Sequence, residues 1–197
     1  VFELFYQSVS QGILHWDLCG NHNVESAVMA IAAARHVGVP VAVSIEALMQ
    51  FVAPKRRMEL KGTVKGIAVY DDFAHHPTAI ETTLAGLRAR VGDAKIWAVL
   101  EPRSNTMRMG VHKSAIADSL HDANDVLLFE PANSGWSLAA VAEQMPGRAT
   151  VFQSVELIVA ALVEKASAGD HIVIMSNGGF GGIHQKLLDA LSATRRP

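Results

Sequence analysis

The second half of the sequence predicts an α/β domain, a Rossmann-like, mostly parallel sheet with flanking helices, on three observations. Apolar runs at 64–70, 95–101, 125–130, 149–153 and 170–176 alternate with helical segments at 78–91, 106–121, 137–145, 155–167 and 183–194. Such alternation implies parallel strands with helices covering the sheet. Ile80, Leu84, Leu87 and Val91 recur at i, i+4, i+7 and i+11, the apolar stripe of a helix packed on a sheet. Finally, the stretches that end the strands are polar, while the opposite turns, Gly92-Asp93-Ala94 and Ala168-Gly169-Asp170, are short and bland.

Taken in order, residues 1–18 read as one or two strands, Phe2–Val9 and Ile13–Leu18, joined by Ser10-Gln11-Gly12. Gly20-Asn21-His22-Asn23 leads into an Ala-rich helix from about Ser26 to Val37, closed by Gly38 and Pro40. Ser44 is placed to cap a helix over Ile45–Val52, which stops before Pro54. The basic run Lys55-Arg56-Arg57 opens a linker over 55–62, with a domain boundary inside it. Residues 1–54 are then the tail of one domain and 63–197 a complete small one. Gly66–Tyr70 reads as a buried strand that breaks at Asp71-Asp72. Thr78 and Glu81 form a T-x-x-E capping box where the next helix begins.

Composition narrows the function classes. Of 197 residues, 50% are hydrophobic and 18% charged, and the net charge of -2 gives no general electrostatic case for nucleic acid or an anionic membrane. One cysteine, Cys19, leaves no internal disulfide framework and fits a reducing, cytoplasmic compartment. Neither a run of about 20 apolar residues nor a secretory signal occurs. The chain opens on Val1-Phe2-Glu3-Leu4, without Met, and reads as cut from a larger protein.

Four polar stretches follow predicted strands: Asp71–His76, Glu101–Thr106, Glu130–Trp136 and Ser176–Gly182. In a parallel sheet all four share one rim, the edge where α/β folds bind ligands. Asp71, Asp72, His75 and His76 read three ways: as ligands of a divalent metal, as carboxylates for ribose hydroxyls, or as a turn whose acids cap amides. Arg103-Ser104-Asn105-Thr106 with Arg108 opens a helix and suits a carboxylate or phosphate, or is an N-cap with solvated arginines. Asn177–Gly182 either lets amides approach an anion or serves tight-turn geometry. Gly20–Asn23 presents side-chain amides to a planar base or is an N-cap, and Arg57 is an anion ligand or a solvated linker residue. No G-x-x-x-x-G-K-[ST] loop is present.

Together these stretches resemble the Mur ligase family, ATP-dependent enzymes that attach amino acids or peptides to peptidoglycan precursors. Gly20–Asn23 with its Ala-rich helix resembles the end of the family's central ATPase domain, Arg57-Met58-Glu59 its interdomain R-x-E, and DDFAHHP, Asp71–Pro77, the D-D-Y-G-H-H-P of the alanine-adding member. EPRSNTMRMG, Glu101–Gly110, and SNGGFGGIHQKL, Ser176–Leu187, are instead similar to the branch that takes the tripeptide L-Ala-γ-D-Glu-meso-diaminopimelate.

The resemblance implies joining of that tripeptide to UDP-N-acetylmuramate through an acyl phosphate, with ATP and Mg²⁺, in peptidoglycan recycling. The ligands for Mg²⁺ are then expected mainly in residues preceding Val1. It places His22 and Asn23 near adenine, Arg57 near the phosphates and Asp72 at the ribose. His75, as catalytic candidate, joins Arg103, Ser104, Asn105 and Arg108 around the tripeptide. Ser26 stands where the family often has a second Asn. The alternatives are L-alanine addition, a metal-dependent phosphoesterase using Asp71, Asp72, His75 and His76, and a non-catalytic nucleotide-binding module.

Overall fold

The computed structural model of the chain describes residues 1–102, 113–131 and 137–194, and divides them between two compact units, Val1–Pro54 and Lys55–Pro197. In the first unit an antiparallel hairpin, β1 (Phe2–Tyr6) and β2 (Val9–Leu14), precedes helices α1 (Asn21–His36) and α2 (Val41–Met49). Its small core is Leu14, Ile31 and Ile45, with Phe2, Leu4, Trp16, Val41 and Leu48 packed against them.

Three local expectations shift here. The hairpin turns at Gln7-Ser8, both with positive φ (48° and 66°), instead of at Ser10–Gly12. A two-residue turn of that hand suits the strand twist, but Gln-Ser carries none of the Asn-Gly signal that announces it. Helix α1 starts at Asn21, five residues before Ser26, because polar residues are at home in a first turn, where backbone amides lack intrahelical partners. The Asn23 side-chain amide donates back to the Cys19 carbonyl at 2.6 Å. Ser44 lies inside α2, buried, and Pro40 occupies the N-cap.

The second unit is a six-stranded sheet in the order β3-β4-β8-β5-β6-β7. Its strands are β3 (Glu59–Val64), β4 (Ile67–Asp72), β5 (Ile96–Glu101), β6 (Asp125–Phe129), β7 (Ala149–Phe152) and β8 (His171–Ser176). All pair in parallel except β3, which runs antiparallel to β4 at the edge. The latter half of the expected linker is therefore strand, and the apolar run at 64–70 contains a turn. Lys65 and Gly66 take φ of 51° and 78° there, and a Cβ on Gly66 would lie 3.1 Å from that of Ala168. The Lys65 ammonium donates to the carbonyls of Leu191, Ser192 and Thr194, where the last helix ends. A cation there satisfies orphan carbonyls and the helix dipole. Lys65→Met is expected to lower the stability of this unit by about 1 kcal/mol, read as a shift in urea midpoint.

Strand alternation sorts the core into two layers. Ala68, Tyr70, Ala98, Leu100, Val126, Leu128, Val173 and Met175 face α3 (Pro77–Val91), α4 (Lys113–Ser119) and α5 (Ala139–Ala142). Ile67, Val69, Trp97, Val99, Leu127, Ile172 and Ile174 face α6 (Val155–Lys165) and α7 (Ile183–Ala193). Buried on both faces, these strands read as continuous apolar runs, which is why they stood out in the sequence. Ile80, Leu84 and Leu87 of α3 are fully buried as the stripe requires. Its N-cap, however, is His76 with Pro77 in the first turn and no side-chain cap, so Thr78 and Glu81 do not form the expected box.

Candidate functional site

The parallel register brings the polar strand ends to one edge. Asp72 is level with Met175, and Glu101 with Ser176. The same alternation that sorts the core then separates the two acids of Asp71-Asp72. Asp71 continues the Ile67–Val69 side toward α7, and Asp72 continues the Ala68–Tyr70 side toward α3.

Asp72 is 3% exposed. One carboxylate oxygen accepts the Met58 amide at 2.8 Å; the other accepts the Ala74 amide at 2.7 Å and the Thr83 hydroxyl at 3.3 Å. Burial pushes its pKa up, against the pull of these donors and of Arg57. Both oxygens are thus engaged by the chain, and a ribose hydroxyl would have to share them.

Asp71 sits in a different cluster. The Arg56 Nε lies 3.4 Å from each of its oxygens, and Arg56 Nη2 donates to the carbonyls of Ser176 (2.5 Å) and Gly178 (2.9 Å). Backbone contacts hold Arg56 as well: its amide donates to Glu59, its carbonyl accepts from Phe73, and its φ is 62°. His184, in the first turn of α7, brings Nε2 to 3.2 Å from Asp71 Oδ1, close enough for an ion pair but out of hydrogen-bond alignment. Burial lowers its pKa despite the neighbouring carboxylate. Ser176 donates to Glu101 and accepts the Gly178 amide, which ties β5 to the glycine-rich turn.

That turn is conformational. Phe180, Gly181 and Gly182 all have positive φ (42°, 57° and 70°), and a Cβ on Gly181 would meet Val155 at 3.2 Å. Glycine is the residue that adopts such a path at low cost. The path buries Phe180 against Phe129 and aims α7, hence His184, at the rim.

Phe73 anchors the exposed side of the edge. Arg56 and Arg57 lie over its ring at 5.2 and 5.7 Å from the centroid, and His75 meets it edge-on at 5.3 Å. His75 Nδ1–H donates to the Phe73 carbonyl at 2.9 Å, the tautomer that leaves Nε2 as an acceptor. His75 is half-buried, whereas His76 and Arg57 are exposed.

Arg57, Asp72 and His75 are therefore gathered at one end of the sheet. His22 and Asn23 belong to α1 of the other unit, where Ser26 donates to the His22 carbonyl. Arg103, Ser104, Asn105 and Arg108 lie outside the described residues. Sequence reading missed Arg56 and His184; the available signal was strand parity, since 71, 101 and 176 fall on the α7 face, where a buried acid at 71 needs a donor. Among the described residues no group of three His, Cys, Asp or Glu side chains is arranged to hold a metal. Asp71 and Asp72, on opposite faces of one strand, do not converge as a phosphoesterase would require. Nor does any described helix have the length and apolarity to cross a membrane.

Comparison with known proteins agrees with this architecture. A family model described as Mur ligase, glutamate ligase domain, matches residues 56–178. The UDP-N-acetylmuramate–L-alanyl-γ-D-glutamyl-meso-2,6-diaminoheptandioate ligase of Escherichia coli is 52% identical over 192 residues, covering 97% of this chain and 42% of that protein. The UDP-N-acetylmuramate–L-alanine ligase of Streptomyces coelicolor is 33% identical over 182 residues, 88% of this chain and 39% of that protein. A crystal structure of a murein peptide ligase from Psychrobacter arcticus superposes with a TM-score of 0.74 at 46% identity, over 93% of this chain and 40% of that one. The chain spans about two fifths of the length of these relatives. With its mostly parallel six-stranded sheet and the match over more than half its residues, the chain belongs to the Mur ligase family.

Proposed function

We propose that this chain is the C-terminal part of an ATP-dependent ligase that joins L-Ala-γ-D-Glu-meso-diaminopimelate to UDP-N-acetylmuramate in peptidoglycan recycling. The observation that carries the reading is the difference in identity over nearly the same residues: 52% to the tripeptide-named relative against 33% to an alanine-named one. In this reading ATP transfers its γ-phosphoryl group to the muramyl carboxylate. The tripeptide amine attacks the resulting acyl phosphate, and inorganic phosphate leaves the tetrahedral intermediate. Side chains contribute position and charge more than covalent chemistry.

Residues 1–54 are assigned to the end of a central ATP-binding domain, 55–62 to the connection and 63–197 to the C-terminal domain. Exposed Phe5, Val9, Ile13 and Met29 fit a first unit that packs against further chain. His22 and Asn23 are assigned to adenine and Arg57 to the phosphates. His75, with Nδ1 tied to the Phe73 carbonyl, is assigned to the incoming amine. Asp72 shapes the ribose side by holding Met58 and Ala74, sharing an oxygen with a sugar hydroxyl at most. The Mg²⁺ ligands and a phosphate loop are assigned mainly to the remaining length of such a protein, and the reaction is assigned to the cytoplasm.

The test is ADP release by the full-length protein, expected only when UDP-N-acetylmuramate and tripeptide are both present. Equal turnover with L-alanine would move the assignment to the alanine-adding branch, and turnover with neither would end it. Arg103→Ala and Arg108→Ala are each expected to raise the tripeptide KM about ten-fold with little change in the KM for ATP. Unchanged tripeptide kinetics in both variants would remove them from the pocket.

A further inference from the structure

Asp71, 6% exposed, faces two nitrogen groups at once. Arg56 Nε reaches both its oxygens at 3.4 Å, and His184 Nε2 approaches Oδ1 at 3.2 Å without alignment. We propose that His184 is a positioning residue whose neutral imidazole leaves the Asp71 carboxylate to Arg56, and so keeps Arg56 spanning the ends of β4 and β8.

The geometry makes the two groups competitors. An imidazolium at Nε2 would draw Oδ1 into a charge-assisted hydrogen bond, which is shorter and stronger than the present 3.4 Å contact to Arg56. The Arg56 side chain would then keep the Ser176 and Gly178 carbonyls and, of Asp71, only the Oδ2 contact. The groups facing His184 are Asp71 on β4, Arg56 before β3, and Lys61 and Glu59 on β3, two cations against two acids. Burial outweighs the acids and lowers the ring's pKa, which favours the neutral imidazole. Acidification supplies the proton that reverses the arrangement.

What Arg56 holds matters for its neighbour. Its left-handed backbone and its carbonyl bond to the Phe73 amide form the bend from which Arg57 projects over the Phe73 ring. Displacing Arg56 shifts the base of Arg57. The kinetic consequence rests on the proposed contact of Arg57 with the nucleotide phosphates; the positional one does not.

Full-length protein labelled with ¹⁵N at arginine and histidine tests both. The Arg56 Nε–H resonance is expected to move with the midpoint of the His184 titration, below the ordinary histidine range. His184→Gln and His184→Leu, neither of which can gain a proton, are both expected to keep the neutral-pH resonance and lose its pH response. In parallel, the KM for ATP of the wild type is expected to rise about ten-fold as the pH falls through the His184 titration, with kcat within two-fold, and that rise is expected to be absent in both variants.

An Arg56 resonance indifferent to the His184 titration overturns the proposal whatever the kinetics. If wild-type protein turns over no ATP, the ligase reading fails while the resonance still decides the role of His184. Should the Leu variant not fold, the wild-type titration against His184→Gln decides it in the same way.

Discussion

Asp72→Ala is expected to lower the stability of the Lys55–Pro197 unit by about 3 kcal/mol, the cost of stranding a buried amide, a half-buried one and a buried hydroxyl. The carboxylate is 3% exposed and accepts from Met58, Ala74 and Thr83. Met58 is held at a φ of 48°, a conformation an L-residue keeps only when its surroundings require it. Loss of the carboxylate releases that constraint together with the hydrogen bonds. The midpoint of thermal unfolding should fall by on the order of 10 °C. Asp72→Asn should recover little, since its amide group turns a donor toward one of the two backbone amides. A variant that melts like wild type but has lost ATP affinity would return Asp72 to a ligand role.

Arg56→Ala and Arg57→Ala, one residue apart, are expected to behave as opposites. Arg56 bridges two carbonyls and the Asp71 carboxylate. Its removal leaves a buried acid facing a neutral imidazole. With the Arg56 side chain 30% exposed, the cost is discounted from the fully buried case to about 2 kcal/mol. Arg57 is exposed against Phe73, so its removal should change unfolding by less than about 0.5 kcal/mol. It should nevertheless raise the KM for ATP about ten-fold in the full-length protein. Denaturant melts and initial-rate kinetics on the two variants separate a strut from a ligand. Equal destabilisation by both would contradict the geometry.

Acid should weaken the same edge. A histidine whose folded pKa lies below its unfolded value contributes stability above the unfolded value and loses it as the pH falls through that window, because the unfolded chain takes the proton first. His184 is in that position, with burial as the cause.

Much of this was legible in the residue order. Of the five parallel strands, β4, β5, β6 and β8 stood out because burial on two faces demands unbroken apolar runs, and α3 because its stripe repeats at helical spacing. The shared polar rim followed from parallel direction alone. Less was legible where a turn carries no Asn-Gly signal, as at Gln7-Ser8, or hides within an apolar run, as at Lys65-Gly66. Strand β3 was lost for the second reason and was read partly as linker.

The sequence by itself was sufficient for period and direction: that the parallel runs are strands separated by helices, although the helix expected at 137–145 is only Ala139–Ala142 and part of that expected at 106–121 lies outside the described residues, and that Asp71–His76, Glu101 and Ser176 end on one edge. It was not sufficient for partners. Asp71 and Asp72 are neighbours in the chain, yet the pleat sends one to Arg56 and His184 and the other to Met58, Ala74 and Thr83. Arg56 and His184, more than a hundred residues apart, meet only because β8 lies beside β4 and a left-handed turn points α7 back at the rim. Local pattern sets the elements; long-range packing selects which donors each acid answers to, because only the assembled sheet excludes the water that would otherwise serve them both.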